Sequence, residues 1–194
     1  VNQEQLMRII PHAPFSVFIP LSNAMADYQI NTLNRMAMFL PNIAHESMEF
    51  RYTEEIATGE AYENRVDLGN NLPEAKAWAP DGRAGPWFKG RGFMQTTGYL
   101  NYKKASQALF GDETVLLKNP RMLCQVVPAC RSAALFFSSS GCMEAADKGD
   151  FLLCCQIVNM PERLRGSAVT PNGWTQRLNY YNRAMETLKE IQRV

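Results

Sequence analysis

The sequence predicts a mainly α protein carrying one small loop-rich or β insertion. Three observations predict it. Apolar residues recur at helical spacing near both ends of the chain, at residues 32 to 46 and 175 to 191. A third apolar stretch fills residues 122 to 138, and glycine and proline break up residues 56 to 89 between the helical halves. At 194 residues the chain reads as a single domain, 1–194, long enough to bury a real core. With 46% hydrophobic and 20% charged residues, it has the composition of an ordinary globular protein.

Taken in order, residues 1 to 10 offer Leu6, Ile9 and Ile10 as one helical face. Pro11, Pro14 and Pro20 then punctuate the chain, because proline lacks the N–H that a helix interior needs. A short helix is expected over about residues 21 to 27, with Ser22 or Asn23 as a cap near its start. The clearest helix spans residues 32 to 46, where Leu33, Met36, Ala37, Leu40, Ile43 and Ala44 share a face. Thr32 caps it, and Pro41 has to kink it or begin a new helix. Across residues 56 to 89, Gly59, Gly69, Asn70-Asn71, Pro73, Pro80-Asp81-Gly82 and Gly85-Pro86 erase any period, with Tyr62, Trp78, Trp87 and Phe88 interleaved. Helix resumes from Tyr102 to Phe110 and ends near Gly111. The stretch 122 to 138, interrupted near Pro128, is apolar on most sides and reads as the central core helix. A helix over about 145 to 158 follows, and the last carries Leu178, Tyr181, Met185, Leu188 and Ile191 on one face.

Composition excludes several functions. A net charge of +1 exerts no global pull toward nucleic acid or a membrane surface. No apolar run approaches the roughly 20 residues of an integral membrane segment. Cys124, Cys130, Cys142, Cys154 and Cys155 contain no Cys-x-x-Cys spacing and read mainly as small buried apolar residues of a reduced protein, with one or two disulfides as the alternative. His12 and His45 are the only histidines, and neither neighbours a cysteine in sequence, so no metal site is expected. Gly90-Arg91-Gly92 is not followed by Gly-Lys-Ser/Thr, which rejects a nucleotide site. No cofactor is expected.

Two stretches carry chemistry. In Ile43-Ala44-His45-Glu46-Ser47-Met48-Glu49-Phe50-Arg51-Tyr52-Thr53-Glu54-Glu55, an apolar helical run ends in four glutamates. A carboxylic acid at the edge of an apolar core has its charged form disfavoured and can hold a proton near neutral pH. A second carboxylate in wetter surroundings stays ionised, and such a pair is the usual equipment for breaking a glycosidic bond. In the second stretch, Gly90-Arg91-Gly92-Phe93-Met94-Gln95-Thr96-Thr97-Gly98-Tyr99-Leu100-Asn101-Tyr102, the glycines permit close backbone approach. Gln95, Thr96, Thr97 and Asn101 add hydrogen-bonding side chains.

These stretches and their flanks resemble glycoside hydrolase family 19, the plant-type chitinase family that includes many phage endolysins of the lysozyme superfamily. The resemblance covers about residues 15 to 188. It begins at Ile30-Asn31-Thr32, passes Arg35, Ala37 and Phe39-Leu40, and reaches His45-Glu46-Ser47. It resumes at Glu55, Gly59, Tyr62-Glu63, Arg65 and Asp67-Leu68-Gly69-Asn70, then at Gly90-Arg91-Gly92 with Gln95, Thr97, Asn101 and Tyr102. Asn159, Arg177 and Tyr181-Asn182-Arg183 are weaker echoes. It departs at Asn159-Met160-Pro161, where the family reads Asn-Gly-Gly, and at residues 72 to 88.

The resemblance implies a lysozyme-like, two-lobed helical domain that hydrolyses a polysaccharide. Glu46 then looks like the general acid and Thr97 like the hydroxyl that helps hold the attacking water. Gln95 and Asn101 resemble sugar contacts, and Tyr102 a wall of the cleft. Tyr62 and Glu63 fall on the family's substrate-binding element. Glu55, nine residues after Glu46, is the favoured base, with Glu60 and Glu63 as competitors. Inversion of configuration implies carboxylates roughly 6.5–9.5 Å apart. Arg91 fixes its loop or pairs with a carboxylate. The expected substrate is peptidoglycan or a related polysaccharide such as chitin. The implied setting is the bacterial cell wall, in the periplasm, for a phage-encoded lysin acting as a monomer. A peptide-stem hydrolase and a non-catalytic wall-binding protein are the other functions that this fold could serve.

Overall fold

The computed structural model describes residues 1–160 and 162–189. Its helices, in chain order, are α1 (Gln3–Ile9), α2 (Phe18–Asp27), α3 (Leu33–Glu46), α4 (Pro73–Trp78), α5 (Ala84–Trp87), α6 (Tyr99–Phe110), α7 (Val115–Lys118), α8 (Val126–Ser139), α9 (Cys142–Asp147), α10 (Phe151–Asn159) and α11 (Trp174–Lys189). Short 3-10 turns join several of them. The chain forms two compact units. One is built from both ends, Val1–Arg51 and Ala134 onward, and the other is the continuous middle, Tyr52–Ala133. One boundary between the two units falls inside α8.

In the unit built from the chain ends, α1 starts with a capping box: Asn2 Oδ1 accepts from Gln5 N–H and Gln5 Oε1 from Asn2 N–H. α2 begins earlier than expected. Pro20 lies in its first turn, where no intrahelical N–H is required, so Ser22 and Asn23 sit inside the helix rather than capping it. Thr32 caps α3 as expected, its hydroxyl accepting from Arg35 N–H at 3.3 Å. α3 runs through Pro41 as one element. Every residue from Ala37 to Ala44 is buried, so neighbours on all sides hold the helix despite the missing N–H.

α11 lies along α3 in the most extensive helix pairing of this unit. The central helix is thus α3, not the 122 to 138 stretch. That stretch divides into a 3-10 turn (Pro120–Cys124) and α8; Pro128 falls in the first turn of α8, and Val127 is 52% exposed. The face of α11 that is buried is Arg177, Tyr180, Ala184, Thr187 and Leu188. Leu178, Tyr181 and Met185 are half-buried on its flank, where Tyr181 stacks on Phe151 with ring centres 4.2 Å apart. Ile191 lies outside the described residues. The helix expected over 145 to 158 is two, α9 and α10. Gly149, at φ +75°, turns the chain between them, and Asp150 caps the second by accepting from Leu153 N–H.

In the middle unit, residues 56 to 89 form no strand among the described residues. They make a 3-10 turn (Glu60–Tyr62), α4 and α5, and the β content is limited to isolated bridges Glu54–Arg91 and Arg91–Thr96. The β alternative fails because closely spaced glycines and prolines leave no alternating apolar run for a ladder. Asn70, fully buried, ties this segment to α6: its Nδ2 donates to Tyr62 O and its Oδ1 accepts from Tyr99 N–H. Gly69 beside it, at φ +71°, has no room for a Cβ against Leu100. All five cysteines are free thiols, four of them buried.

Candidate active site

The residues singled out in sequence fall into two groups, one in each unit. In the first, Glu46 is the last residue of α3, with its side chain 20% exposed. Its Oε1 pairs with Nη2 of Arg177, whose side chain is fully buried. Two further hydrogen bonds hold that guanidinium. Nη1 donates to Oδ1 of buried Asn42 at 2.6 Å, Nε donates to Asn172 O at 3.0 Å, and Asn42 Nδ2 is fixed in turn by Met38 O. A buried cation with this many acceptors is a built feature, since an unpaired buried charge is strongly destabilising. Next to Glu46, the His45 ring contacts Gln176 Oε1 through Nδ1 at 2.6 Å. Burial and then the Arg177 charge push its pKa below the ordinary histidine value, which favours neutral imidazole. Gly173 is required beneath it, because a Cβ there would collide with the His45 ring.

The turn that follows Glu46 is unusual. Met48, Glu49 and Phe50 all have positive φ, +46°, +58° and +67°. Left-handed backbone costs roughly 1–2 kcal/mol per non-glycine residue, so the surroundings must hold it. Ser47 Oγ accepts from Phe50 N–H and donates to Ile43 O, while Glu49 N–H donates to Ala44 O. The Glu49 carboxylate takes the Tyr180 hydroxyl on Oε1, and the His12 N–H and ring Nδ1 on Oε2. Burial opposes its charge, but the hydrogen bonds from Tyr180 and His12 outweigh burial and hold its pKa below the ordinary value.

The second group is built on loops. Glu55 N–H donates to Gly90 O, and Gly90 N–H donates back to Glu55 Oε2 at 2.9 Å. Burial and the nearby Glu55 carboxylate raise the Tyr62 phenol pKa. Gly90 is a convergence point. A Cβ placed there would meet Gln95 Oε1, Glu55 Oε2 at 2.6 Å and Thr97 Oγ1 at 3.2 Å. Gln95 itself sits at φ +54°, with Nε2 donating to Gly92 O and Oε1 buried without a hydrogen-bond partner. An orphaned buried acceptor beside a carboxylate and a hydroxyl is suited to receive a donor from a water or a sugar.

Other sequence candidates have mixed placements. Thr97 donates to Gln95 O, and Asn101, exposed, donates through Nδ2 to Thr97 O. Glu63 is engaged inside its own segment, accepting from Gly85 N–H at 2.6 Å, and Glu60 pairs on the surface with Arg83. Neither contributes an oxygen at Gly90, where Glu55 does. Tyr102 corrects an expectation. It is fully buried in the core of its unit and so offers no wall to a ligand; its hydroxyl donates to Lys89 O and accepts from Arg91. Arg91 pairs with Glu54, as one of the two roles foreseen for it, and donates to Trp87 O. Lys89 and Arg121 also face Glu54. Burial opposes the Glu54 charge, but these cations outweigh it and hold its pKa below the ordinary value.

Sequence reasoning missed Asn42, Glu49 and Tyr180, and registered Arg177 only as a faint echo. The available signal was that Arg177, Tyr180, Ala184, Thr187 and Leu188 are themselves spaced as a helical face. Among the described residues, no group of three or more His, Cys, Asp or Glu side chains could share a metal ion. None of their helices is long and apolar enough to cross a membrane.

No protein-family profile matches the chain. Solved structures do match it. Chitinase C from Streptomyces griseus aligns with a TM-score of 0.69 and 21% identity, over 97% of this chain and 76% of that one. A class IV family 19 chitinase from Zea mays gives 0.68 and 21%, covering 97% and 92%. A bacterial family 19 chitinase gives 0.65 and 22%, covering 97% and 94%. The chain therefore has the mainly α fold of these chitinases.

Proposed function

Starting from a fold shared with family 19 chitinases, we propose that the chain is a glycoside hydrolase acting on a polymer of N-acetylated amino sugars, foremost the glycan strand of peptidoglycan. The observation that carries this is the convergence of Glu55 Oε2, Thr97 Oγ1 and the unpartnered Gln95 Oε1 on Gly90. A carboxylate, a hydroxyl and an unpartnered acceptor together can orient a water and take its proton. Glu46 is the general acid. Its carboxyl, held on Oε1 by Arg177, gives a proton to the leaving glycosidic oxygen. Water attacks the anomeric carbon from the opposite face, its proton goes to Glu55, and the configuration inverts. Gln95 Oε1 and Thr97 hold that water or an adjacent sugar hydroxyl. Asn101 is exposed for sugar contact, and Tyr62 lies beside Glu55.

Chitin is the second reading, favoured by the names of the structural neighbours. Peptidoglycan is preferred because of the sequence resemblance to a family that includes phage endolysins. That resemblance also supports a lysin working as a single chain at the bacterial wall, from the periplasm. The test is mass spectrometry of fragments released from purified peptidoglycan and, in parallel, from chitin. New reducing ends are expected, with a loss of about 10²-fold or more in rate for Glu46→Gln. Free peptide ends on an intact glycan would overturn the reading, as would an unaffected Glu46→Gln variant.

A further inference from the structure

A matched pair of contacts joins the end of α3 to α11. Glu46 meets Arg177, and three residues later on both segments Glu49 meets Tyr180. On α11, Arg177 and Tyr180 are three apart and so lie one turn apart on the same face, which puts the two contacts along one seam. The second contact has no part in the chemistry proposed above, yet it too is anchored on both sides. Glu49 is tied to α11 through Oε1 and to the segment after α1 through the His12 N–H and ring on Oε2. Its own N–H closes the last turn of α3 by donating to Ala44 O. It does so from the middle of three consecutive left-handed residues, a backbone state that persists only where the surroundings impose it.

We infer that Glu49 and Tyr180 are positioning residues: their contact fixes the register of α11 against the end of α3, and so sets the Arg177 guanidinium on Glu46 Oε1. This rests on the reading of Glu46 as the general acid. Burial and then the Glu49 carboxylate push the Tyr180 pKa up to about 12, in keeping with a phenol that keeps its proton as a donor. The seam explains why a non-glycine left-handed turn is held where a glycine turn would be easier to form. A glycine at position 49 would relax the backbone but lose the anchor.

The test uses Tyr180→Phe, Glu49→Ala and Glu49→Gln in the full chain, with two readouts. The first, needing no substrate, is the exchange rate of the Arg177 Nε–H by NMR. The clamp predicts about tenfold or faster exchange in Tyr180→Phe and Glu49→Ala, as the contact opens locally. Glu49→Gln, which keeps a carbonyl facing Tyr180, restores most of the protection. The second is kinetics on purified peptidoglycan, where kcat falls about tenfold with KM within twofold, the mark of a misplaced acid rather than lost binding. Unchanged Arg177 exchange in a folded Tyr180→Phe protein would overturn the inference, and so would a raised KM at constant kcat. Should Glu49→Ala not fold, Tyr180→Phe, which removes a single oxygen atom, carries the test alone. If the native protein releases no fragments, the hydrolase reading fails while the exchange rates still decide the clamp.

Discussion

The two carboxylates assigned to catalysis are held in opposite ways. Glu46 ends a helix buried on every side from Ala37 to Ala44, and its partner is a side chain 131 residues away, fully out of water. Glu55 sits on a loop and is fixed by a neighbouring main chain, through the Gly90 N–H and a glycine whose missing Cβ leaves room for three oxygens. One site depends on a long-range charge pair, the other on local backbone shape. They should therefore break differently.

The largest effect is expected from Arg177→Ala. Removing the cation strands Glu46 and leaves the Asn42 Oδ1 and Asn172 O acceptors unmet inside the protein. Breaking a buried pair in this way costs about 3–5 kcal/mol. The partial exposure of Glu46 places the expectation toward the lower bound, as a shift in urea midpoint with catalysis lost as well. A loss under about 1 kcal/mol, typical of surface pairs, would mean that Arg177 is not what holds the end of α3.

Gly90→Ala is expected to act less on stability, by about 1–3 kcal/mol as for overpacked sites, yet to lower kcat strongly, because the added methyl strikes Glu55 and Gln95. Full activity in that variant would separate Glu55 from the chemistry. The smallest effect is acid dependence. Glu49 has its folded pKa below the ordinary value, so its contribution to stability is complete above that value and fades as pH falls through the lowered one. The stability advantage of the native protein over Glu49→Gln, by urea unfolding, should be seen at about pH 7 and shrink by about pH 3. An advantage independent of pH would show that the carboxylate charge is not involved.

The same contrast governs how much could be read from the chain. The loop-borne half was legible. Gly90-Arg91-Gly92, Gln95 and Thr97 lie within eight residues, and the chemistry of close backbone approach is written in the glycines. The helix-borne half was legible only on one side. Thr32 capping and the apolar period of α3 placed Glu46 at a helix end, but Arg177 carries no local sign that it is buried. A helical face containing an arginine, a tyrosine and a threonine loses, on hydrophobicity, to the neighbouring stripe of Leu178, Tyr181 and Met185. The true face is set by the partners that α3 supplies, Glu46 and Asn42, which no window on α11 contains. Helix ends failed for a related reason. In sequence Pro20, Pro41 and Pro128 read as interruptions, whereas two of them occupy first turns and Pro41 is held by burial. Tyr102 misled because a residue adjacent in sequence to a site need not face it.

That one unit is assembled from both ends of the chain has a consequence for synthesis. As the polypeptide leaves the ribosome, α3 emerges with its apolar faces uncovered, well before α11, the helix that supplies the cation for Glu46. The middle unit is continuous and can close on local contacts, whereas the ends must wait for a loop of more than a hundred residues to be drawn shut, the kind of non-local contact that slows folding. The seam of Glu46 and Glu49 with Arg177 and Tyr180 thus forms only once α11 has been made: a product lacking α11 would present the carboxylates of the α3 end without their partners.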